Sequence, residues 1–262
     1  MIAPDAFCFY KIFAPEPCKL VRFDRHYLLY SAAGSIDLEV DGRVWTLPPL
    51  RAAWLQAGVE IAVCNARPIT CCSLLYAPGF IAAPAMPCKV FDITPLAREM
   101  ILECRRWGPE SGALDDYARQ FFTTLALVTR ELAAKDCNSW VPVGQSAAVR
   151  SAIAHSREQL GARPEFAQIA RAVHCTPRTL ARRFQAECGM SWQQVLRRLR
   201  MIRAAELLAD AQMQITQVGF AVGYASQSAF GAAFRDFAQV SPRDYRAGIM
   251  RGLNLAVDAT QS

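Results

Sequence analysis

The sequence has no long hydrophobic run. One apolar stretch, Ala77–Cys88, contains three prolines, and proline breaks the continuous helix that a membrane span needs. The segment Met1–Tyr10 has no basic stretch followed by an apolar core, so no secretory signal is predicted. We therefore expect a cytoplasmic protein that has no membrane partner.

Histidine is scarce, and the cysteines lack the spacing of metal ligands. Only one of the three histidines, His26, lies in residues 1–144, whereas a metal-dependent enzyme would need several histidines with a carboxylate there. None of the ten cysteines is spaced C-x-x-C, which disfavours a zinc site. We expect no metal, no cofactor and no catalytic residue, and therefore no enzyme.

Eight of the ten cysteines lie before residue 140. In the cytoplasm they are expected to be reduced thiols. Free cysteine usually packs as a small buried hydrophobe, which is the favoured interpretation here. A redox or thiol-reactive role stays open, but it requires an exposed thiolate of low pKa, and no cysteine has an obvious cationic neighbour in the sequence.

Lysine is absent from residues 145–257, where all 15 basic residues are arginine. Because only 7 acidic residues accompany them, this segment has a net charge of +8, whereas residues 1–144 carry −1. Arginine presents a flat fork of donors that fits phosphate oxygens and guanine edges. The asymmetry indicates a module that binds a polyanion, joined to a nearly neutral carrier domain.

The first part of the chain has the pattern of short β-strands followed by two helices. Ile36–Val40 alternates apolar and polar residues, Asp41-Gly42 is a strong hairpin signal, and Val44–Leu47 continues the pattern. Several short strands at this spacing predict a small β-barrel or sandwich. A first helix is predicted to begin at Thr94-Pro95. A second, amphipathic helix is predicted at about residues 113–135.

The second part of the chain contains an internal repeat of about fifty residues. Its copies run from Phe166 to Gly189 and from Ile215 to Gln239, and each is predicted to be a short helix, a tight turn and a second helix. Between them lies a longer helix, at about residues 192–209, with Ser191 as its predicted N-cap. Such a helix can hold two units rigidly apart. That geometry allows two helices to enter successive major grooves, about 34 Å apart.

Within each copy, the residue types match their predicted places. Small residues, Ala170 and Gly219, stand where two helices must cross closely. Leu180 and Phe184 are four residues apart and predict an inward face. Gly189 suits a left-handed helix end. Further local signals are the caps Thr176 and Ser226, Pro177 at a first helical position, and Gly223 in the second turn.

Residues 145–248 resemble the DNA-binding domain of the AraC/XylS family. The residues that carry the resemblance are Leu180-x-Arg182-x-Phe184, Gly189, Arg200-x-x-Arg203-Ala204, Leu207-Leu208, Ile215-x-x-Val218, Gly223-Tyr224, Ser226-x-Ser228-x-Phe230, Phe234-Arg235 and Ser241-Pro242-x-x-Tyr245-Arg246. The first half resembles, more weakly, the cupin-type effector domain common in that family.

The resemblance implies an α+β chain. A small N-terminal β-barrel (cupin-like) with two helices precedes an all-α domain that has two helix-turn-helix units joined by a long helix. The expected domains are residues 1–92, a cupin-like barrel that senses an effector; 93–137, a helical dimerisation region; 138–146, a linker; and 147–250, the double helix-turn-helix domain.

The resemblance also implies which residues approach DNA. Those expected to contact bases are Arg178, Ala181, Arg182, Gln227 and Ser228. Those expected to contact phosphate are Thr176, Arg183, Arg203, Ser226, Arg235, Arg243 and Arg246. For Arg178 and Arg182, the alternative is that one of the two only binds phosphate. Arg200 and Arg203 have the alternative of pairing with Glu206 or Asp210.

Two positions depart from the family pattern. Ala238-Gln239 stands where the family usually has Phe-Gly, so Gln239 must take a helix-ending conformation that glycine reaches more cheaply. Ala232 stands where the family often has a larger polar or basic residue. We therefore expect the first unit to supply most of the direct readout of bases, and the second unit to act through phosphate contacts and DNA shape.

The expected function is sequence-specific transcription regulation on double-stranded DNA, across two successive major grooves, by a homodimer formed through the helix at about 113–135. RNA polymerase is a further candidate partner. A small-molecule effector is expected in the first domain, with a pocket formed by Arg22, Arg25, His26, Tyr30, Trp45 and Trp54. For each of these the alternative is an ordinary core aromatic or surface charge. Two further alternatives are control by a partner protein and a cysteine-based thiol or alkyl sensor.

Overall fold

The computed structural model describes residues 4–49, 51–135 and 140–249. The chain divides into two compact units. Of the described residues, the first unit comprises 4–40, 45–49, 51–135 and 248–249, and the second comprises Asp41–Val44 and residues 140–247. Parts of the expected ranges, at residues 136–139 and 250, lie outside the described residues.

The first unit is built on β-strands, most of them short. A five-stranded sheet has the order β1-β8-β3-β6-β9, and the remaining strands of the unit form a second sheet with the order β5-β4-β7-β2. The strands are β1 (Ala6–Phe13), β2 (Glu16–Arg22), β3 (His26–Ala33), β4 (Ile36–Val40), β5 (Arg43–Leu47), β6 (Arg51–Leu55), β7 (Glu60–Asn65), β8 (Ile69–Tyr76) and β9 (Cys88–Asp92).

The first sheet is covered on both of its faces. Seven of the eight residues of β3 are buried, from His26 to Ala32. One face, with Tyr30 and Trp54, belongs to a core that also contains Phe122 of the helical segment. The opposite face turns Tyr27 and Leu29 towards the second sheet, where they line a cavity. Alternate residues of one strand therefore serve two different cores.

The two helices that follow the strands begin at side-chain caps. The Thr94 hydroxyl accepts a hydrogen bond from the N–H of Ala97 at the start of α1 (Pro95–Glu103). The Asp115 carboxylate accepts one from the N–H of Ala118 at the start of α2 (Asp116–Ala133). Such caps satisfy N–H groups that have no partner within the helix.

The hairpin between β4 and β5 turns as its sequence predicts. Asp41 and Gly42 both have positive φ angles, 49° and 69°, as a tight two-residue hairpin turn of primed type requires. The N–H of Val143 donates to the carbonyl of Gly42 at 2.8 Å. The short strand β10 (Trp140–Pro142) leads into Val143. Asp41–Val44 is accordingly part of the second unit.

One prediction about the cysteines is wrong. Cys18 and Cys64 form a disulfide, although reduced thiols were expected throughout. The reason is the pairing of β2 with β7, in which Lys19 lies opposite Val63. Cys18 precedes Lys19 and Cys64 follows Val63, so the two cysteines come together across the antiparallel strands. Cys8, Cys71, Cys72, Cys104, Cys175 and Cys188 are free thiols.

The second unit is helical. Its helices are α3 (Ala147–Glu158), α4 (Phe166–Ala172), α5 (Pro177–Cys188), α6 (Trp192–Leu207), α7 (Ile215–Ala221) and α8 (Gln227–Ala238). Residues 242–249 are also helical. The expected α+β class, with an N-terminal β domain and a C-terminal all-α domain, is confirmed; the β domain has two sheets that do not close into one barrel.

The long helix α6 is the centre of the second unit. Its side chains Val195, Leu199 and Ala205 are buried, and it contacts α3, α7 and α8. At its first turn the Trp192 indole N–H donates to the Ser156 hydroxyl at 2.9 Å. This buried hydrogen bond ties α6 to α3 and satisfies the polar end of a large aromatic side chain.

Candidate nucleic-acid interface

The two short helical pairs of the second unit share one turn geometry. In the α4–α5 pair, the N–H of Cys175 donates to the carbonyl of Ala170 at 2.9 Å. In the α7–α8 pair, the N–H of Tyr224 donates to the carbonyl of Gly219, also at 2.9 Å. The sequence repeat therefore corresponds to two copies of one helix-turn-helix structure.

Close crossing of α7 and α8 explains the small residue in the first helix of that pair. A Cβ atom on Gly219 would lie 3.1 Å from the ring of Phe230, which is tighter than a comfortable van der Waals contact. Ala170, at the corresponding place in α4, is completely buried. The prediction that these positions must be small is confirmed for Gly219 and is consistent with the burial of Ala170.

Helix α5 is fixed by a cap at its start and by two apolar anchors. The Thr176 hydroxyl accepts a hydrogen bond from the N–H of Thr179, and Pro177 follows at the first helical position. Leu180 and Phe184 are fully buried. The helix ends at Gly189, which has a φ of 64°. These local signals set the rotation of α5 about its axis.

That rotation leaves one side of α5 exposed to solvent. Arg178, Ala181 and Arg182 all lie on this exposed side. Within the described residues, neither guanidinium group has an ion pair or a hydrogen bond. Two extended cations four residues apart on an open helix face can reach the acceptor pair of a guanine, O6 and N7.

Helix α8 is also fixed by a cap and two buried anchors, but its exposed side carries different residues. Ser226 caps it by accepting from the N–H of Ala229, and Phe230 and Phe234 are fully buried anchors. On the exposed side, the Gln227 carbonyl oxygen accepts a hydrogen bond from the Thr216 hydroxyl at 3.2 Å. The polar groups of this helix are thus partly engaged within the unit.

The Ser228 hydroxyl is also engaged, because it lies 3.2 Å from the Ser226 hydroxyl. Gln239 ends α8 with a φ of 59°, so the expected left-handed helix end is confirmed. Its side-chain amide donates to the carbonyl of Asp236 at 3.0 Å.

The residues expected at phosphates fall into two groups, those that α6 does not hold and those that it does. Arg235 and Arg243 are exposed, and no hydrogen bond or ion pair holds their side chains within the described residues. Arg183 is half-buried and its guanidinium lies 3.7 Å from the sulfur of Cys175. Thr176 and Ser226 are the helix caps already described.

Arg203 and Arg246 form the second group, because both are held by α6. Arg203 pairs with Glu206 one turn along the helix, at 2.7 Å. Arg246 donates from Nε to the carbonyl of Leu208 at 3.1 Å, just after the last turn of α6. A cation at this end interacts favourably with the partial negative charge of the helix C-terminus.

Two contacts of α6 were not anticipated from the sequence. The Arg200 guanidinium lies 5.8 Å from the centre of the Tyr224 ring, and burial lowers the pKa of Arg200. Arg197 pairs with Asp236 of α8 at 2.7 Å. Each joins residues far apart in the chain, so spacing along the sequence carries no signal for them.

The first unit contains a cavity of about 260 Å³, lined by strands of both sheets. Most lining side chains are apolar, including Phe9, Leu29, Leu38 and Val63. Clefts that bind small molecules in proteins are mostly apolar with few polar groups. This cavity is therefore the candidate ligand site of the first unit.

The six residues expected to form an effector pocket lie elsewhere and do not line this cavity. Tyr30, Trp45 and Trp54 are buried in cores. His26 is also buried, and its Nδ1 accepts a hydrogen bond from the N–H of Ala57 at 3.1 Å.

The two arginines of that set make surface contacts. Arg22 lies 3.8 Å from Glu60, and Arg25 donates to the carbonyl of Pro4 at 2.8 Å. Arg25 also lies 5.2 Å from the centre of the Phe7 ring.

The buried thiols of the first unit are poor nucleophiles. Burial raises the pKa of Cys71 to about 12. The pKa of Cys8 is raised far above its ordinary value, mainly by a hydrogen bond between its sulfur and that of Cys72 and secondly by burial. A thiolate is the reactive form of cysteine, so these environments give no support to thiol chemistry.

Among residues 4–49, 51–135 and 140–249, no group of three or more His, Cys, Asp or Glu side chains is arranged to hold a metal ion. In the same ranges, no helix combines the length and the apolar character needed to cross a bilayer.

Residues 169–248 match the family model described as a helix-turn-helix domain. The chain is 26% identical over 223 residues to the HTH-type transcriptional regulator NimR of Escherichia coli K12, covering 84% of this chain and 79% of NimR. It is 34% identical over 71 residues to the HTH-type transcriptional activator RhaS of Escherichia coli O9:H4. That second match spans 26% of RhaS, about a quarter of its length.

Similar solved structures include an AraC-type transcriptional regulator from Chromobacterium violaceum. It is 26% identical, covers 39% of this chain and 91% of its own, and has a TM-score of 0.38. ToxT of Vibrio cholerae is 11% identical, covers 92% of this chain and 98% of its own, and has a TM-score of 0.39.

The family model covers both helical pairs from Ile169 onward, and the two curated relatives are regulators that carry the same kind of domain. Residues 169–248 therefore form a helix-turn-helix domain, and the chain is a DNA-binding transcription regulator similar to these proteins.

Proposed function

We propose that this regulator reads DNA sequence mainly through α5 and responds to a small molecule in its first unit. The proposal that α5 reads DNA is supported by the contrast between α5 and α8, the second helices of the two helix-turn-helix pairs. Arg178 and Arg182 are exposed and without partners within the described residues. Gln227 and Ser228 are already engaged by Thr216 and Ser226.

Free guanidinium groups are suited to direct readout. A bidentate contact from arginine to guanine discriminates against a wrong base by about 1–3 kcal/mol. Ala181, between the two arginines, has a methyl group that can meet the methyl of thymine. We propose Arg178, Ala181 and Arg182 as the base-contacting set of the first helical pair.

The second helical pair contributes mostly through the DNA backbone. The outer side of α8 carries Gly231 and Ala232, which have no polar side-chain atoms. Arg235 and Arg243 are exposed cations nearby in the chain. Backbone contacts fix register and orientation without specifying sequence directly. We propose Arg183, Arg235 and Arg243 as phosphate contacts, with Gln227 and Ser228 as the polar groups nearest to bases.

Arg203 and Arg246 have a structural role in this proposal. Because their side chains are held by Glu206 and by the Leu208 carbonyl, their loss acts first on the stability of α6. Substitution of either residue should lower DNA affinity only to the extent that the unit unfolds. This distinguishes them from Arg243.

The experiment that tests DNA reading is selection of binding sites by the full chain from random double-stranded DNA. The proposal predicts enriched sites with one strongly conserved block, read by α5, and a weakly preferred block about one helical turn, roughly 10 base pairs, away. The block with stronger base preference should contain guanine. Enrichment without any sequence preference would contradict it. The salt dependence of binding provides an independent count of phosphate contacts.

We also propose that the regulator is a homodimer that uses α2. Leu127 of that helix is 61% exposed and Tyr117 is 60% exposed, which is unusual for large apolar side chains. Sedimentation of the wild type and of Leu127→Glu tests this. A dimer that the substitution dissociates supports it, and a wild-type monomer at micromolar concentration contradicts it.

Small-molecule sensing is tested by thermal shift on the full chain with a metabolite library. Only a compound that prefers the folded state raises the melting temperature. A dose-dependent rise, lost when the cavity is filled by substitution, supports sensing in the first unit. If no compound shifts melting, control by a partner protein becomes the better account.

A further inference from the structure

The Tyr27 hydroxyl and the charged side chains at the cavity of the first unit have partners. The Tyr27 hydroxyl is buried and lies 2.7 Å from the Ser73 hydroxyl. Glu16 and Lys19 form an ion pair with each other, and both side chains are about half exposed. Among the described residues that line this cavity, a ligand therefore meets no buried charge that lacks a partner.

Asn65 is the polar side chain that retains bonding capacity. Its amide nitrogen donates to the carbonyl of Ala14 at 2.7 Å and to that of Arg67 at 3.3 Å. Both amide hydrogens are thus used. Its carbonyl oxygen accepts no hydrogen bond within the described residues, so it can accept one from a ligand.

We propose that this cavity binds a compact, uncharged, mostly apolar molecule that carries at most one hydrogen-bond donor. The proposal rests on the sensing function proposed above and names the class of ligand. The apolar lining favours transfer of apolar surface out of water. Burying an ionised ligand without a dedicated counter-charge would be strongly unfavourable, and the cation at the rim, Lys19, already faces Glu16.

The probe pair that tests the class is N-phenyl-1-naphthylamine and its 8-sulfonate, which differ only in the anionic group. Both become fluorescent in apolar surroundings. The full-length protein should bind the uncharged probe at least ten times more tightly than the sulfonate. Equal or tighter binding of the sulfonate, reduced by Lys19→Met, would overturn the proposal in favour of an anion site.

Two adjacent residues of β2 provide matched variants that locate the probe. Val21 lines the cavity, whereas Leu20 points to the opposite side of the strand and is 68% exposed. Val21→Trp should weaken binding of the uncharged probe at least tenfold, and Leu20→Trp should leave it unchanged. If both variants bind the probe as the wild type does, the probe is not in this cavity and the proposal fails.

Circular dichroism establishes that each variant is folded. Should Val21→Trp unfold, Leu38→Phe replaces it, because Leu38 is a fully buried lining residue of β4 in the same sheet. The thermal-shift library separates the proposal of small-molecule sensing from the proposal that the ligand is apolar and uncharged. Shifts from sugars or charged metabolites alone leave sensing intact and refute the apolar class. Binding of the uncharged probe with no effect of any cavity ligand on DNA affinity refutes sensing.

A separate observation, the Cys18–Cys64 disulfide, supports a second proposal. It joins the edge strand β2 to β7. Cys18 is exposed and Cys64 is partly exposed, whereas Cys8, Cys71, Cys72, Cys88 and Cys104 are buried. Exposed disulfides are the ones that thiol reductants reach readily.

The disulfide lies beside the wall of the cavity. Lys19 and Val63, the neighbours of the two cysteines in the chain, pair across the strands and both line the cavity. Strand β2 has a neighbour in its sheet on one side only, which is β7. We infer that the disulfide restrains β2 and thereby slows passage of the ligand past this edge.

Reduction is a two-electron exchange with a dithiol. The reductant's two thiols become a disulfide, and Cys18 and Cys64 each gain a hydrogen. The test is the dissociation rate of N-phenyl-1-naphthylamine before and after dithiothreitol, with thiols counted by Ellman's reagent. Reduction should speed dissociation at least threefold and add two reactive thiols.

The probe should dissociate rapidly from Cys18→Ser both before and after dithiothreitol. From Cys175→Ser it should dissociate as it does from the wild type. Equal rates in the oxidised and reduced wild type, or an untreated native protein whose Cys18 and Cys64 already react as thiols, would overturn this second proposal.

Discussion

His174 and Gly223 occupy the same position in the turns of the two helix-turn-helix pairs. Both take a left-handed conformation, with φ of 54° and 85°, and each donates its N–H to the carbonyl three residues before it, that of Arg171 and that of Phe220. A residue with a Cβ atom pays a conformational cost of about 1–2 kcal/mol there, from which glycine is free. The first turn is therefore strained where the second is relaxed.

From this relationship we expect His174→Gly to stabilise the second unit by about 0.5–1 kcal/mol, because relief of strain exceeds the added entropy of the unfolded chain. Urea unfolding with an unchanged m-value measures it. The matched control is His155→Gly in the last turn of α3, which should destabilise by about 0.4 kcal/mol. A loss of stability in both variants would contradict the expectation.

Gln239 has the same conformation at the end of α8, with a φ of 59°. Gln239→Gly should raise the free energy of unfolding by about 0.5–1 kcal/mol, although the side-chain hydrogen bond to Asp236 is lost. Denaturant unfolding is again the measurement. Gln239→Ala removes the hydrogen bond and keeps the strain, so it should be less stable than the wild type. If alanine and glycine have equal effects, backbone strain is not the cause.

His26 should make the first unit sensitive to mild acid. Burial lowers its pKa below the ordinary value of 6.5, so the folded state keeps the ring uncharged while the unfolded chain takes up a proton as the pH falls. The stability contributed is fully present above about pH 6.5 and is lost as the pH falls towards the folded pKa.

Hydrogen exchange of the β3 peptides at pH 7.5 and 5.5, corrected for intrinsic rates, measures this effect. His26→Asn should flatten the dependence, because asparagine does not titrate in this range. Its side-chain oxygen can still accept from the N–H of Ala57, so the hydrogen bond is kept. His174→Asn, at an exposed position, serves as the control. An unchanged pH dependence in His26→Asn would assign the acid sensitivity to other groups.

The second unit was predictable from sequence because its signals are local. The caps Thr176, Ser191 and Ser226 and the helix-ending Gly189 each act within four residues of their own position. A pattern of two buried residues four apart then fixes which side of α5 is exposed. No information from distant parts of the chain is needed to place Arg178 and Arg182.

The first unit was harder to predict because its strands are buried on both faces. In β3 every residue from His26 to Ala32 is buried, so alternation cannot tell which side chains face the helices and which face the cavity. For this reason Tyr30 and Trp54 were expected at a pocket although they belong to a core. The Cys18–Cys64 bond depends on the register of two strands 46 residues apart in sequence.

The most direct test of the central claim compares Arg182→Ala with Arg243→Ala in DNA-site selection. If α5 reads bases, Arg182→Ala should abolish the preference at one guanine, costing about 1–3 kcal/mol on the best site, while the rest of the motif persists. Arg243→Ala should weaken every sequence alike and lower the salt dependence by about one phosphate. Uniform weakening by both variants, or an unchanged motif in Arg182→Ala, would contradict the account.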